Sequence, residues 1–249
     1  MGNRIVSWFS CGAASAVATK KALEKYGHDN FIIAVCIVPN EHPDNERFLL
    51  DCEKWFNHPI TRLKTEKYKD LWDMWEKQPY IVGPMGAPCT LEFKKKVRQK
   101  FQKITDVQVF GFTSEEVARV ERFKTQNPEV DLVTPLIDLH ISKKDCFVEI
   151  QKAGILLPMM YRLGYNNNNC IMCVKGGAGY ANKIRRDFPE IFDRMAKVER
   201  KVGATILRSK GKRLYLDELD PNAGRKQKEP DMECGLWCKG EEDGKETIS

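Results

Sequence analysis

The beginning of this sequence constrains its fold more than any other stretch, because a short apolar run leads through small residues directly into a helix. Residues 4–18 read Arg-Ile-Val-Ser-Trp-Phe-Ser-Cys-Gly-Ala-Ala-Ser-Ala-Val-Ala. This order predicts a β-strand, a tight turn and a helix start, which together direct backbone N–H groups and the positive end of a helix toward an anion. Gly12 lets the backbone approach a phosphate or sulfate, and the hydroxyl groups of Ser10 and Ser15 can donate to it. The alternative is an ordinary strand–helix turn whose small residues serve packing alone.

The composition is that of a globular protein with one sizeable domain and an appendage. Its 249 residues are 42% hydrophobic and 31% charged, and no apolar run approaches the ~20 residues of a membrane span. No basic region followed by an apolar core precedes the first strand, so we predict a cytoplasmic protein with no membrane partner. Nine cysteines in such a chain indicate metal or redox chemistry rather than a disulfide framework. A formal net charge of +6 suits a nucleotide or a nucleic acid as partner.

Apolar runs of strand length alternate with segments of helical length along the first two thirds of the chain. The run from Phe31 to Val38 is continuous, as in a strand buried on both faces of a parallel sheet. We expect Gly27 to end the first helix, Asp44 or Asn45 to cap the second, and Ser142 to cap the helix that runs to residue 153. The other predicted strands span 59–63, 107–112 and 132–137, and the predicted helices span 15–26, 44–56, 68–77, 91–101 and 142–153. This alternation predicts an α/β fold with a doubly wound parallel sheet.

A doubly wound sheet binds its ligands at the carboxyl ends of its strands. We therefore expect the loops at that edge to converge. They are the turn at Ser10, the polar loop from Pro39 to Asn45, the turn-dense loop that leads to Cys89, and residues 111–122. His42, in the second of these loops, can contact a ligand there, although a lone histidine is more often structural.

The character of the sequence changes after Gly164. A run of asparagines precedes Cys170-Ile-Met-Cys173 and Lys175-Gly-Gly-Ala-Gly179, and helices are predicted near 180–188 and 190–202. We therefore predict three regions: a nucleotide-binding α/β domain over 1–164, a cysteine-containing helical extension over 165–238, and a disordered tail over 239–249.

Cys170 and Cys173 form a C-x-x-C pair at a predicted junction between a loop and a helix. That spacing lets both thiolates reach one metal or cluster, and it also suits a redox dithiol. Cys89, Cys234 and Cys238 are candidates for the remaining ligands. The alternative is a set of buried thiols without chemistry, a description that suits Cys36, Cys52 and Cys146.

A run of cations occupies the predicted helix that follows Cys89. Most such runs form a solvated face, but the first lysines lie one turn beyond the predicted ligand edge and can meet a phosphate or sulfate there. Arg119 and Arg122 are three residues apart and share a helix face, and Glu115 has the spacing of a surface ion pair with Arg119. The cations of the run are Lys94, Lys95, Lys96, Arg98, Lys100 and Lys103.

Five short segments, in order between residues 10 and 237, resemble motifs of a known superfamily. They are Ser10-Cys-Gly-Ala-Ala-Ser15, His42-Pro-Asp-Asn-Glu46, Pro88-Cys89 with Lys94, Gly111-Phe-Thr with Glu116 and Arg119, and Glu233-Cys-Gly-Leu-Trp237. The first resembles the PP-loop, SGGxDS, of the adenine-nucleotide alpha-hydrolase superfamily. The others resemble the phosphoadenosine phosphosulfate (PAPS) reductase family, including its phage-encoded and DNA-sulfur-modification relatives, whose signature ECGLH differs from the last segment by one residue.

The resemblance implies roles for residues of this chain. It implies Cys234 as the nucleophile, with Lys94 and Arg119 holding the phosphate and sulfate groups of PAPS, adenylylsulfate (APS) or ATP. It implies a 4Fe–4S cluster or zinc, with ligands Cys89, Cys170, Cys173 and Cys238. It implies a nucleotide site made of Ser10, Cys11, Gly12, Ala13, Ser15, Asn40, His42, Gly111, Thr113 and Arg122. Members of the superfamily often form homodimers.

The chain also departs from the family pattern at several positions. Ala14 replaces the aspartate that pyrophosphatase members use near magnesium, so Mg²⁺ is expected only if ATP is cleaved. Thr90 replaces the second cysteine of a ligand pair, Thr113 replaces a usual arginine, and Trp237 replaces the signature histidine.

Three functions follow as hypotheses. The first is thiol-dependent reduction of a sulfonucleotide to sulfite, with a thioredoxin-like partner as reductant. The second is ATP-dependent adenylation coupled to sulfur transfer onto a nucleic acid, by thiolation or phosphorothioation. The third is nucleotide binding without turnover, beside a structural metal site.

Overall fold

A five-stranded, all-parallel β-sheet forms the centre of the described α/β fold. The structure is a computed structural model that describes residues 3–83 and 86–224. The strands run in the order β3-β2-β1-β4-β5. They are β1 (Ile5–Phe9), β2 (Phe31–Cys36), β3 (Ile60–Leu63), β4 (Val107–Val109) and β5 (Asp131–Val133). Because β1 lies between β2 and β4, the strand order reverses at β1, and the ends of β1 and β4 are neighbours.

Eleven α-helices are described in these ranges, together with a π-helical segment at Leu91–Lys95. The helices are α1 (Ala13–Tyr26), α2 (Asp44–Phe56), α3 (Leu71–Lys77), α4 (Pro88–Thr90), α5 (Lys96–Phe101), α6 (Val117–Gln126), α7 (Pro135–Asp138), α8 (Lys143–Lys152), α9 (Met159–Arg162), α10 (Ala178–Asp187) and α11 (Pro189–Val202). A two-stranded antiparallel hairpin follows, of β6 (Leu207–Ser209) and β7 (Lys212–Leu214). None of the helices in the described ranges combines the length and apolar character that a bilayer crossing requires.

Helices cover both faces of the sheet. Phe9 of β1 packs against Phe48 and Phe56 of α2, with ring centroids 6.2 and 5.9 Å apart. Its neighbour Trp8 meets Phe101 of α5 edge to face at 6.2 Å. Since successive strand residues point to opposite faces, α2 and α5 lie on opposite faces of the sheet, as a doubly wound fold requires.

The described chain divides into two compact units. Unit 1 comprises residues 3–37, 43–64 and 97–164, and holds the sheet. Unit 2 comprises residues 38–42, 65–96 without 84–85, and 165–224. The first two segments of unit 2 directly follow β2 and β3 along the chain. The last contributes α10, α11 and the hairpin.

Several predicted elements are confirmed. The first helix ends at Gly27, which has a positive φ of 76°. Ser142 caps α8, accepting the backbone N–H of Asp145, and the strand from Phe31 is buried almost throughout.

Other boundaries were wrong. Strand β5 ends at Val133, because Pro135 begins a short helix, a position that suits the fixed φ of proline. Strand β4 ends at Val109 rather than residue 112. The second helix begins at Asp44, after Pro43 at the cap position, so neither Asp44 nor Asn45 is its cap. The hairpin was not predicted at all.

Candidate functional site

The turn between β1 and α1 lies where the strand order reverses, the position at which open α/β sheets bind ligands. Gly12 is the cap residue of α1 and has no side chain that could accept a hydrogen bond from this helix end. The first turn of a helix carries N–H groups that its own hydrogen bonds do not use. The turn therefore presents donors and a positive helix end, as the sequence predicts.

Both serines of the turn belong to one hydrogen-bond network. The Ser15 hydroxyl donates to the Gly12 carbonyl at 2.9 Å and accepts from the backbone N–H and the hydroxyl of Ser10, each at 3.0 Å. Ser15 is buried and Ser10 is exposed. Ser15 therefore shapes the turn, whereas the exposed Ser10 hydroxyl can turn toward a ligand.

A second hydroxyl network fixes the helix to the strand behind the turn. The side chains of Ser7 and Thr19 lie 2.8 Å apart, and the Thr19 hydroxyl donates to the Ser15 carbonyl at 2.7 Å. Both side chains are buried. The polar groups satisfy each other, which holds the start of α1 at a set position against β1.

Cys11 has a left-handed backbone conformation, with φ of 54°, and is buried. This region is strained for a residue with a side chain and costs about 1–2 kcal/mol. Cys11 thus contributes the shape of the turn.

Gly111 brings the segment after β4 against this same turn. A Cβ atom at Gly111 would lie 2.7 Å from both the nitrogen and the Cα of Ser15, and 2.8 Å from the carbonyl carbon of Ala14. Only glycine permits this approach, so Gly111 belongs to the wall of the turn.

Tyr161 is a residue of this site that sequence reasoning missed. Its hydroxyl oxygen accepts the N–H of Ala13, the first residue of α1, at 3.4 Å. A Cβ at Gly12 would lie 3.5 Å from the same oxygen. The phenol packs edge to face on Phe147 at 4.9 Å. No local motif marks such a residue, because 148 positions separate it from Ala13.

An ion pair at the start of α2 holds the segment that carries Tyr161. The Asp44 carboxylate accepts the N–H of Met159 at 2.8 Å, and Arg47 donates to the carbonyls of Leu156 and Leu157. Arg47 also binds Asp44 through two hydrogen bonds of 2.8 Å, which keep the pKa of that carboxyl below its ordinary value.

Thr113 and Arg119, two and eight residues after Gly111, both donate to the carboxylate of Glu116. Glu116 accepts the N–H and the hydroxyl of Thr113 at 2.9 and 3.1 Å, and it also accepts a hydrogen bond from Arg119. The Arg119 guanidinium lies 5.2 Å from the ring centroid of Phe112. The suggested pairing with Glu115 is thus replaced by Glu116, while Glu115 accepts the N–H of Lys143 at 3.3 Å. Arg122 is exposed on α6.

In unit 2, Lys94 is buried and does not lie on a solvated basic face. It belongs to the π-helical segment after Cys89, and its ammonium lies 3.3 Å from the carboxylate of Glu41. Both side chains are about nine-tenths buried. Arg98 is buried as well, in unit 1, and donates to the amide oxygen of Gln102 at 2.7 Å. The run of cations therefore contains two interior charges.

Asn40 and His42 have structural contacts within unit 2. The side-chain oxygen of Asn40 accepts the N–H of Leu71 at 2.8 Å, and its backbone carbonyl accepts the N–H of Ile171 at 3.1 Å. The His42 ring meets Phe188 at 5.8 Å. Asn40 thus holds the C-x-x-C loop and the start of α3 together.

The C-x-x-C loop is built around the buried hydroxyl of Tyr180. That hydroxyl donates to the Cys170 carbonyl at 3.2 Å and accepts the Cys173 N–H at 3.4 Å. Burial holds the pKa of Tyr180 above its ordinary value, so the hydroxyl keeps its proton. A Cβ at Gly176 would overlap the Tyr180 ring at 2.2 Å, which explains the glycine there. The pair precedes α10, as the predicted junction requires.

Among the described residues, no group of three or more His, Cys, Asp and Glu side chains is arranged to hold a metal ion. Cys170 is partly exposed and Cys173 is buried, and Cys89 is partly exposed. Cys234 and Cys238 lie outside the described residues. The iron–sulfur cluster or zinc ion therefore remains a prediction. The described thiols do not by themselves form a site for it.

Comparison with protein-family models gives no match for this chain, and comparison with curated proteins gives none either. The resemblance to the PP-loop superfamily therefore rests on the five sequence segments alone, and it enters below as part of a proposal.

Proposed function

We propose that the turn between β1 and α1 binds the phosphate or sulfate groups of an adenine nucleotide, and that the chain is a PAPS-reductase-like enzyme that reduces a sulfonucleotide. The observation that carries the proposal is the approach of Gly111 to Ser15. It closes a small-residue turn against the neighbouring strand end, where the strand order reverses and such sheets bind nucleotides.

The residues of unit 1 support anion binding in three ways. The first turn of α1 offers N–H donors and a positive helix end. The Ser10 hydroxyl is exposed and donates at present to Ser15, so it can exchange that bond for one to an anion. The Tyr161 hydroxyl, which accepts the N–H of Ala13, places a polar group at the start of α1.

The proposed reaction assigns the chemistry to Cys234. Its thiolate attacks the sulfur of the nucleotide's sulfate group, the bond from sulfur to the bridging oxygen breaks, and the adenosine phosphate leaves with that electron pair. Cys234 then carries a sulfonate on its sulfur. One thiolate of a dithiol reductant attacks the Cys234 sulfur, and sulfite leaves with the electron pair of the broken sulfur–sulfur bond. The second thiolate then attacks the mixed disulfide, so the reductant becomes a disulfide and Cys234 leaves as a thiolate. Two electrons pass from the dithiol to the substrate sulfur.

No step of this reaction is assigned to a metal or cluster, because the described cysteines form no such group. From the resemblance, we propose Lys94 and Arg119 as the cations that bind the sulfate group and lower the pKa of the attacking thiol. In the structure, each of them is close to one carboxylate, Glu41 and Glu116 respectively. An incoming anion would compete with that carboxylate for the cation.

The test is sulfite release by anaerobically purified protein from APS and from PAPS, with a dithiol as reductant. We expect release from one of them, and its loss in Cys234→Ser. Cys146→Ala is the matched control, because burial raises the pKa of the Cys146 thiol to about 12 and keeps it from acting as a nucleophile. Nucleotide binding without sulfite release from either substrate would overturn the reductase proposal. Pyrophosphate formation from ATP in the presence of nucleic acid would then support the sulfur-transfer hypothesis.

A further inference from the structure

The hairpin β6–β7 has an apolar face and a basic face. Leu207 lies opposite Leu214, and Arg208 lies opposite Arg213, one position farther along. Because strand side chains alternate between faces, the two leucines share one face and the two arginines share the other. Leu207 is buried, while both arginines are exposed. The hairpin therefore packs through leucine and presents arginine outward.

The tip of the hairpin is also basic. Lys210 and Gly211 form a two-residue turn with φ values of 48° and 78°, the geometry that fits the twist of a tight hairpin. Lys210 and Lys212 are exposed. Residues 208–213 thus carry four cations and no acidic residue.

The base of the hairpin is rigidly held by α11. The buried carboxylate of Glu199 accepts the N–H of Ile206 at 2.6 Å and the N–H of Leu216 at 2.7 Å. Ile206 directly precedes β6 and Leu216 lies two residues after the end of β7, so one side chain holds both ends of the hairpin. Arg213 also donates to the carbonyl of Gly203, at the end of α11. The basic face is therefore presented on a fixed element.

Several exposed cations elsewhere in unit 2 have carboxylate partners, whereas the exposed Arg194 and Lys197 have none among the described residues. Arg200 binds Asp217 and Glu218, each at 2.7 Å, and Arg186 binds Asp187 at 2.7 Å. In the part of the chain that the structure describes, no carboxylate pairs with the hairpin's Arg208, Lys210 or Lys212. Arg200 already engages the acidic residues that follow the hairpin. Within the described ranges, no carboxylate thus offsets the charge of these three cations.

The direct opposition of Arg208 and Arg213 is unfavourable for the hairpin itself. Directly opposed residues place their Cβ atoms about 4.5–5.5 Å apart, where like charges repel. A polyanion that binds both arginines would remove this repulsion. The arrangement therefore fits a phosphate backbone as partner.

We propose that the hairpin β6–β7 binds the phosphate backbone of duplex DNA. A two-stranded ribbon of this size can enter the major groove of B-form DNA, and cations along its rim and tip can meet phosphates on either side. Residues 207–214 include no aromatic side chain, so the stacking that single-strand binding uses is absent from the hairpin. The proposal is independent of sulfonucleotide reduction.

The test is fluorescence anisotropy of a labelled DNA duplex, two helical turns long, titrated with the full-length protein at several salt concentrations. We expect the logarithm of the association constant to fall linearly with the logarithm of salt concentration. The triple variant Arg208→Ala, Lys210→Ala, Lys212→Ala should make this negative slope less steep by about 2–3. It should also weaken binding at low salt by about tenfold or more.

The matched control removes three exposed cations of unit 2 that have carboxylate partners: Lys77→Ala, Arg186→Ala, Lys201→Ala. This control variant loses the same number of positive charges, and its salt dependence of DNA binding should stay close to that of the wild type. Equal losses in both triple variants would overturn the proposal, as would a wild-type protein that binds no duplex at low salt. Tighter binding to single-stranded DNA or to duplex RNA, lost in the same variant, would assign the hairpin to that nucleic acid instead.

A single substitution separates binding from folding. Arg208→Glu places a carboxylate opposite Arg213, so it should raise the melting temperature slightly while weakening DNA binding. A variant with a damaged fold would instead show a lower melting temperature together with weaker DNA binding. Unchanged DNA affinity in Arg208→Glu, with the fold intact, would contradict the proposal.

Discussion

Gly111 and Ser15 lie so close together that a Cβ atom at Gly111 would come within 2.7 Å of the Ser15 backbone nitrogen. The two residues follow β4 and β1, the neighbouring strands at which the sheet order reverses. Their contact fixes how closely the first turn of α1 approaches the end of β4. The shape of the proposed anion site therefore depends on a residue that contributes no side chain.

Gly111→Ala should both destabilise the protein and weaken nucleotide binding. The atoms that a methyl group would meet belong to the backbone of α1, which cannot rotate away as a side chain can. Overpacking of this kind costs typically about 1–3 kcal/mol. Chemical denaturation measures the free energy of unfolding, and calorimetric titration with APS or ATP measures the affinity.

Gly177→Ala is the control for that variant. Nothing lies within 4 Å of a Cβ at Gly177, and its φ of −85° is ordinary for alanine. Its effect should stay below about 1 kcal/mol, the size of a helix-cap effect. Equal losses in the two variants would show that the close approach at Gly111 is not what matters.

Ser10→Ala and Ser15→Ala should separate ligand binding from turn structure. The Ser15 hydroxyl is buried and makes three hydrogen bonds, so its removal should cost about 1–3 kcal/mol of stability. Ser10→Ala removes an exposed hydroxyl and should change stability by only about 0.5 kcal/mol. It should nevertheless weaken anion binding about three- to tenfold, the worth of one hydrogen bond. Unchanged affinity in Ser10→Ala would remove Ser10 from the proposed site.

The centre of the sheet was predictable because β1 and β2 are buried on both faces. The run from Phe31 has the composition of a parallel strand, and Gly27 marks the preceding helix end by its backbone freedom. The strand predicted over 132–137 was too long, because a continuous apolar run does not show where the strand ends and the helix at Pro135 begins. Each strand of the hairpin has three residues with arginine at its centre, and the sequence signal of the hairpin is the Lys210-Gly211 turn between Leu207 and Leu214.

The candidate site was predictable where it is local. Residues 10–15 are contiguous, and their small side chains indicate a turn. The partners of Lys94 and Ala13 are not local: Glu41 lies 53 positions from Lys94, and Tyr161 lies 148 positions from Ala13. Only the folded chain brings such pairs together, so sequence spacing carried no sign of either.

Tyr161→Phe should weaken nucleotide binding with little effect on stability. The ring keeps its edge-to-face contact with Phe147, and only the hydroxyl that accepts from Ala13 is lost. One hydrogen bond is worth about 0.5–1.5 kcal/mol, so we expect roughly a three- to tenfold loss of affinity for APS or ATP. Tyr26→Phe, on an exposed tyrosine at the far end of α1, is the control. Equal affinities for Tyr161→Phe and the control would exclude a role of the hydroxyl in binding.

Glu199 should make the stability of the protein depend on pH. Burial raises the pKa of its carboxyl to about 7, and the backbone N–H groups of Ile206 and Leu216, which favour the charged form, oppose this rise only in part. Between the ordinary value of 4.5 and about 7, the folded protein keeps a proton that the unfolded chain has released. The free energy of unfolding should therefore fall as pH rises through this window, by about 3 kcal/mol in total.

Glu199→Gln should abolish that slope, because an amide does not titrate. Chemical denaturation at a series of pH values from 4 to 8 would measure it, with Glu190→Gln, on the exposed side of the same helix, as control. The gap in stability between wild type and Glu199→Gln should be largest below pH 4.5 and shrink toward pH 8. At low pH the carboxyl is neutral in both states and keeps its contacts to the hairpin, whereas above 7 the wild type must hold a buried charge. A gap that widens with pH would mean that the two N–H donors outweigh burial, and that Glu199 clamps the hairpin as a carboxylate.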